Sequence, residues 1–228
     1  MSGPVRLNKY LALQSGISRR EADLKIEQGR VSINGQRARL GAVIQPERDT
    51  ITLDNSAITT AVKRATYILL NKPLGYVCSR KQQGNSPTIY ALLPREYQRL
   101  KVAGRLDKDS CGIVLLTDDG DTIFKLTHPK FGKEKRYEVG LNKPLTPADL
   151  KKLTGGIELE DGISAITVST LSKKSTRPNM YLVVMHEGRN RQIRRTFKAL
   201  GYTVTHLERI KFGPYTLKEL GSKQFLQI

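Results

Sequence analysis

A chain of 228 residues is long enough for one large domain and one small one, each burying its own core. Its 39 Lys and Arg against 21 Asp and Glu leave a formal charge of +18, which favours a polyanionic partner and predicts affinity that falls steeply with salt as counterions are released. No stretch approaches the roughly 18 apolar residues of a membrane span, and two distant cysteines, Cys78 and Cys111, with no CxxC around either, point to neither a disulfide framework nor a thiolate metal site.

The opening MSGPVRLNKY has no apolar leader, so a reducing cytoplasm is the expected setting. Residues 5 to 35 read as helix, turn, helix and hairpin. Leu7, Leu11 and Leu13 give a first helix its apolar side, and Gly16 ends it. In SRRE, Ser18 and Glu21 have the spacing of a capping box, so a second helix starts at Arg19, carries Ala22 and Ile26 on one side and stops near Gly29. Val31 and Ile33 alternate with polar residues ahead of Asn34-Gly35, a strong hairpin signal, and a strand around Ile51 to Leu53 closes the unit. Positive charge at a helix start opposes the dipole, whereas the exposed N–H groups there attract phosphate. Arg19 and Arg20 therefore read as a phosphate grip, with Lys9 and Lys25 as further basic groups of the unit. This unit is placed at 1–56, a linker at 57–65 and a second domain at 66–228.

The second domain begins with TYILLNKPLGYVCS, a buried strand broken at Pro73 and Gly75. In GRLDKDSCGIVLLTDDG the apolar run Ile113 to Leu116 suits a central strand covered on both faces, so Asp107 lies in a loop leading into rigid, water-poor structure, and Cys111 is a small loop residue. Asp118, Asp119 and Asp121 fit a turn and a helix N-cap. In EKRYEV, Tyr137 alternates with Val139 in a strand, as a core tyrosine or as a stacking platform, and Lys135 is a phosphate contact or a strand-edge lysine. In HEGRNRQIRRTFKAL, Ile193, Phe197 and Leu200 share one side of a helix, and Arg191, Arg194, Arg195 and Lys198 share the other. Cations with no interleaved acid repel one another, so counter-charge is expected: RNA phosphate for most, a buried carboxylate for one. His128, His186 and His206 lack ligand-like spacing and read as structural, and no metal is called for.

The stretch LNKYLALQSGISRREADLKIEQGRVSINGQ resembles the RNA-binding domain named after ribosomal protein S4. Behind it, GRLDKDSCGIVLLTDDG, EKRYEV and EGRNRQIRR, in that order and spacing, resemble the ribosomal-RNA pseudouridine synthases of the RsuA/RluB/RluE/RluF family. The resemblance spans nearly the whole chain. It implies an α+β protein: a small S4-like α/β RNA-binding domain, then a larger mixed, mainly antiparallel-sheet catalytic domain. It also implies that Asp107 is the catalytic residue, Arg105 the arginine that replaces the extruded base, Tyr137 the tyrosine packed on the uracil and Arg194 the arginine paired with Asp107. Ile193 would line the base pocket, with Lys135, Arg191 and Arg195 as substrate contacts. GRNRQIRR looks more like members acting on large-subunit RNA than on small-subunit RNA. The implied partner is a structured stem-loop of ribosomal RNA, free or in a precursor particle, acted on by a monomer.

The chemistry makes sense of such a set. Moving the ribosyl bond from N1 to C5 of one uracil involves no redox change and no net water, so no cofactor is required. Extruding the base costs a few kcal/mol, which an arginine filling the gap and an aromatic face receiving the ring offset. Two rivals remain at this level. One is a non-enzymatic assembly factor that holds ribosomal RNA. The other is a metal-dependent nuclease using Asp118, Asp119 and Asp121, whose activity a chelator would abolish.

Overall fold

The computed structural model describes residues 3–58, 65–171 and 179–228. The chain divides into two compact units between Ala65 and Thr66.

The first unit runs β1 (Val5–Arg6), α1 (Leu7–Ser15), α2 (Arg19–Glu27), β2 (Val31–Ile33), β3 (Gln36–Arg37), β4 (Val43–Ile44), β5 (Ile51–Leu53) and β6 (Ser56–Ala57). Leu7, Tyr10 and Leu11 of α1 meet Ala22 and Ile26 of α2 in one core with Val31, Ile44 and Ile51. α1 stops because Gly16 takes a left-handed conformation, φ 72°. At the start of α2, Ser18 Oγ accepts from the Glu21 N–H at 3.0 Å, and this is the half of the expected capping box that forms among the described residues. Asn34 and Gly35 both have positive φ, 51° and 80°, as a tight two-residue hairpin turn demands, and β2 and β3 pair across it. The expected linker begins one residue early, because Ala57 still pairs with Thr52. Most of that linker, 59–64, lies outside the described residues.

The second unit runs β7 (Tyr67–Lys72), β8 (Lys101–Ala103), β9 (Cys111–Thr117), α3 (Gly120–Thr127), β10 (Lys135–Leu141), α4 (Pro147–Gly155), β11 (Ile157–Leu159), β12 (Gly162–Ser164), β13 (Thr167–Thr170), β14 (Met180–Met185), α5 (Gln192–Ala199), β15 (Val204–Phe212), β16 (Tyr215–Thr216) and β17 (Phe225–Gln227). Its main sheet has the order β13-β14-β10-β15-β9-β7-β17, with β16 on β15 and β8 on β9. Among the described residues every strand pairing of this sheet is antiparallel except β15 with β9, a parallel junction of two register pairs, Glu208 with Cys111 and Arg209 with Gly112. The result is a mixed, mainly antiparallel α+β domain.

The apolar run of β9 is covered on both faces. Ile113 and Leu115 pack with Leu69, Leu126 and Phe212, while Val114 and Leu116 pack with Ile68, Leu70, Val139 and Phe197. All four are fully buried, each contributing about 1.5 to 3 kcal/mol by the transfer of its side chain from water. Cys111 is the first residue of β9 and not a loop residue, because Gly112 (φ 103°) lets β15 approach closely: a Cβ there would lie 2.3 Å from the Arg209 carbonyl oxygen. Asp119 caps α3 by accepting from the Asp121 and Thr122 N–H groups, and Asp118 accepts from the Thr66 N–H and pairs with Arg99. These two carboxylates are thus engaged in local structure, which leaves the nuclease reading without its charge cluster.

Candidate active site

The loop 104–110 carries Asp107 between β8 and β9, and its backbone is tied down at nearly every residue. Gly104 adopts φ 65° with its α-carbon against Phe212, where a Cβ would lie 2.5 Å from the ring. Its carbonyl accepts from the buried Arg209 guanidinium at 2.6 Å, and the same guanidinium donates to the Ile113 carbonyl at 2.9 Å and stacks 4.5 Å from the Phe212 ring centroid. The Leu106 N–H donates to Cys78 Sγ. The Ser110 N–H donates to the Asp107 carbonyl, closing a turn, and the Lys108 carbonyl accepts from Gly75 N–H. Beneath the loop, fully buried Lys72 donates to the Ser110 and Pro73 carbonyls at 2.5 and 3.0 Å, and burial pushes its ammonium below the ordinary lysine range. A fixed backbone of this kind is what a positioned catalytic carboxylate requires.

Facing this loop, α5 delivers its arginines. Arg191 sits just ahead of the helix in a left-handed conformation, φ 47°, unusual for a non-glycine residue. That backbone aims its guanidinium at the loop, where it donates to both oxygens of Asp109 at 3.0 Å and to Asp107 Oδ2 at 3.5 Å. Arg194 donates to the Asp109 and Val204 carbonyls at 2.6 and 3.1 Å, and its Nε lies 3.3 Å from Asp109 Oδ2. The pairing implied by the resemblance is therefore corrected: the arginine beside Asp107 is Arg191, and Arg194 holds Asp109 and the loop backbone. Burial would push the Asp109 carboxyl up, but the Arg191 hydrogen bond and the charges of Arg194 and Arg191 outweigh it and hold the group below the ordinary carboxylate range.

The remaining basic side of α5 also differs from expectation. Arg195 forms a two-pronged pair with Asp161, at 3.0 and 2.7 Å, and is not among the residues lining the cleft described below. Arg191, Arg194 and Arg195 thus find counter-charge in protein carboxylates, where the sequence suggested RNA phosphate for most of them. Asp107 itself is half-buried, with its side chain 34 % exposed.

These groups open on a cleft of about 870 Å³, within the range of ligand pockets. Asp107, Arg105, Tyr137, Ile193, Arg191 and Arg194 all line it. Tyr137 is buried in the wall and Ile193 beside it, while Arg105 is exposed with no side-chain partner among the described residues. Lys135 also lines the cleft but is neither an edge lysine nor a surface one. It lies in a central strand paired with both β14 and β15, donates to the Lys133 carbonyl, and is pushed down by burial. In the first unit Arg19 and Arg20 are exposed at the start of α2, Arg19 donates to Asn8 Oδ1 at 3.3 Å, and Lys9 and Lys25 are partly buried.

Sequence reasoning missed Arg209, Lys72 and Asp109. For Arg209 and Lys72 the available signal was a cation inside an apolar strand, in LERIKF and ILLNK, since such a residue is buried only when its charge is used; Asp109 carried none.

Comparison with known proteins adds the following. Residues 66–199 match the RNA pseudouridylate synthase family, and residues 5–49 match the S4 domain. The chain is 34 % identical to ribosomal large subunit pseudouridine synthase B of Escherichia coli (strain K12), over 93 % of this chain and 75 % of that protein. It is also 34 % identical to ribosomal small subunit pseudouridine synthase A of Vibrio parahaemolyticus, over 94 % of this chain and 91 % of that one. A solved structure described as a pseudouridylate synthase superposes with a TM-score of 0.67 at 32 % identity, covering 98 % of this chain and 96 % of its own.

Proposed function

Since the chain belongs to the RNA pseudouridylate synthase family and carries an S4 domain ahead of the synthase domain, we propose that it converts a uridine of ribosomal RNA to pseudouridine, with Asp107 as the catalytic carboxylate and large-subunit RNA as the favoured target. The observation that carries this reading is the placement of Asp107 on a pinned loop in the wall of the cleft, shared with Tyr137, Ile193 and the Arg191 guanidinium. The everted uracil stacks on Tyr137 and against Ile193, and Arg105 at the exposed rim fills the space the base leaves. The Asp107 carboxylate then either attacks C1′ or removes the C2′ proton. In both routes the N1–C1′ bond breaks, the uracil turns within the cleft and a C5–C1′ bond forms, displacing the Asp107 carboxylate from C1′ in the first route and accompanied by return of the proton from Asp107 to C2′ in the second; C5 then loses its proton and N1 ends protonated. The apolar packing of β9 and Ile193 keeps water from the detached ring. Arg19 and Arg20, exposed at the N-terminus of α2, grip phosphates of a structured stem-loop.

Asp107→Asn tests this. The Arg191 contact it weakens is long and half-exposed, so stability changes by about 1 kcal/mol or less. Pseudouridine formation on ribosomal RNA, mapped nucleotide by nucleotide, is expected to fall by about a thousandfold or more while RNA affinity is retained. An Asn variant with turnover close to wild type would remove Asp107 from the chemistry. Absence of any pseudouridine with the unaltered protein would leave it an RNA-binding factor.

A further inference from the structure

Where the loop 104–110 runs into β9, three side chains of metal-ligand type meet that the proposed reaction does not use. Leu207 lines the cleft, so by strand alternation its neighbours His206 and Glu208 project from the other face of β15. Cys111, at the start of β9, is the register partner of Glu208 across the parallel junction. One ligand atom from each of Cys111, His206 and Glu208 lies within 4.8 Å of the other two. Among the described residues His206 Nε2 is buried without a hydrogen-bond partner, and it stands 3.6 Å from Glu208 Oε2. That is long for a hydrogen bond, yet close to the separation of about 3.4 Å between nitrogen and oxygen ligands held about 2.0 to 2.2 Å from a tetrahedral zinc ion.

A second observation comes from the neighbouring strand. Glu138 of β10 is the register partner of Glu208 on the β15 side, so two carboxylates face each other across an antiparallel pair. Glu138 makes no ion pair or side-chain hydrogen bond among the described residues. Like charges so placed weaken a sheet unless a cation lies near them.

We propose that Cys111, His206 and Glu208 form a site for one divalent transition-metal ion of the zinc type, with the remaining coordination position left to solvent. A thiolate and an imidazole together select such an ion over magnesium or calcium, whose preferred ligands are all oxygen. The ion neutralises the Glu138–Glu208 opposition and cross-links β9 to β15 where only two register pairs join them. Sequence spacing could not show this, because the thiol and the imidazole come from strands far apart in the chain.

The full-length protein, stripped with chelator, is titrated with cobalt(II) and zinc(II). One equivalent of cobalt is expected to bind with a thiolate-to-cobalt charge-transfer band, to be displaced by zinc, and zinc is expected to raise the unfolding temperature. Cys111→Ser is expected to abolish the band, and His206→Ala and Glu208→Gln to weaken zinc binding at least about tenfold. Cys78→Ser and Asp107→Asn are expected to bind as the unaltered protein does, so a failed isomerisation assay does not bear on this result. The proposal is overturned by a band that survives Cys111→Ser, by loss of the band in Cys78→Ser, by zinc affinity unchanged in His206→Ala, or by absence of one-to-one binding. Circular dichroism of each stripped variant shows that it is folded, and Cys111→Ser, which alters one atom, serves as the decisive variant.

Discussion

Arg191, just ahead of α5, and Arg194, in its first turn, both reach the loop 104–110, and replacing each with methionine, which keeps the apolar stem and removes the charge, separates their roles. The Arg191 guanidinium lies 3.5 Å from the Asp107 carboxylate, with side chains 44 % and 34 % exposed. At that distance two unit charges interact by about 5 kcal/mol at an effective dielectric near 20 and by about 1 kcal/mol in bulk water, and this exposure puts the pair near the lower figure, at about 1 to 2 kcal/mol. Arg191→Met is therefore expected to slow turnover at saturating RNA about five- to thirtyfold while costing about 1 kcal/mol or less of stability. Arg194 is only 15 % exposed and donates to two backbone carbonyls. Its loss strips charge-assisted bonds from the loop and from β15, so Arg194→Met is expected to cost about 2 to 4 kcal/mol in urea denaturation. Turnover on a ribosomal RNA fragment and equilibrium unfolding, measured side by side, decide the matter. The reverse pattern, Arg194→Met crippling turnover at unchanged stability and Arg191→Met neutral, would refute the assignment drawn from the geometry and restore the pairing that the resemblance implied.

Further outcomes follow from the same structure. The Asp149 carboxyl is held at about 2 by hydrogen bonds from Tyr202, Thr146 and Lys152, and Glu134 at about 2 by Lys211 and Arg136, against ordinary values of 3.8 and 4.5. Because the folded values are depressed, the stability they contribute is present above the ordinary values and lost as pH falls through the window from 4.5 towards about 2. Asp149→Asn with Glu134→Gln should flatten melting temperature against pH there, and an unaltered curve would contradict the bonds described. Gly112→Ala should destabilise the protein by about 3 kcal/mol or more in urea, since its Cβ would meet backbone that cannot move aside at a φ of 103°. Ser18→Ala should cost α2 about 1 kcal/mol, read as faster hydrogen exchange at the Glu21 amide; unchanged exchange would show that the cap contributes nothing.

The features legible in the sequence are those decided by neighbours in the chain. Gly16 stops α1 and Asn34-Gly35 turns the hairpin because single residues tolerate the left-handed region. The run Ile113 to Leu116 announces a strand buried on both faces, and Asp119 caps α3 because its side chain reaches N–H groups two and three residues on. What stayed hidden is set by tertiary approach. A helical wheel puts Arg191 and Arg194 on one face but cannot show that the backbone at Arg191 leaves the helical conformation and redirects its side chain. Lys135 reads as an edge residue until both β14 and β15 are seen to flank it. Arg195 looks free for phosphate because Asp161, its partner, lies 34 residues away. Membership of the synthase family was legible because its motifs keep their order and spacing, whereas the rank of the individual arginines was not.

The sheet of the second unit consists of two antiparallel halves that meet at only two parallel register pairs. Asp107 enters from the β8–β9 half, and Tyr137 and Arg191 from the β10–β14 half, so the distance between the proposed catalytic carboxylate and the proposed base platform is fixed across a seam inside a single chain. Arg209, reaching from β15 to the Gly104 and Ile113 carbonyls, acts as the rivet of that seam. The rate of such a catalyst is open to tuning by residues that never meet its substrate, wherever a change lets one half slide against the other.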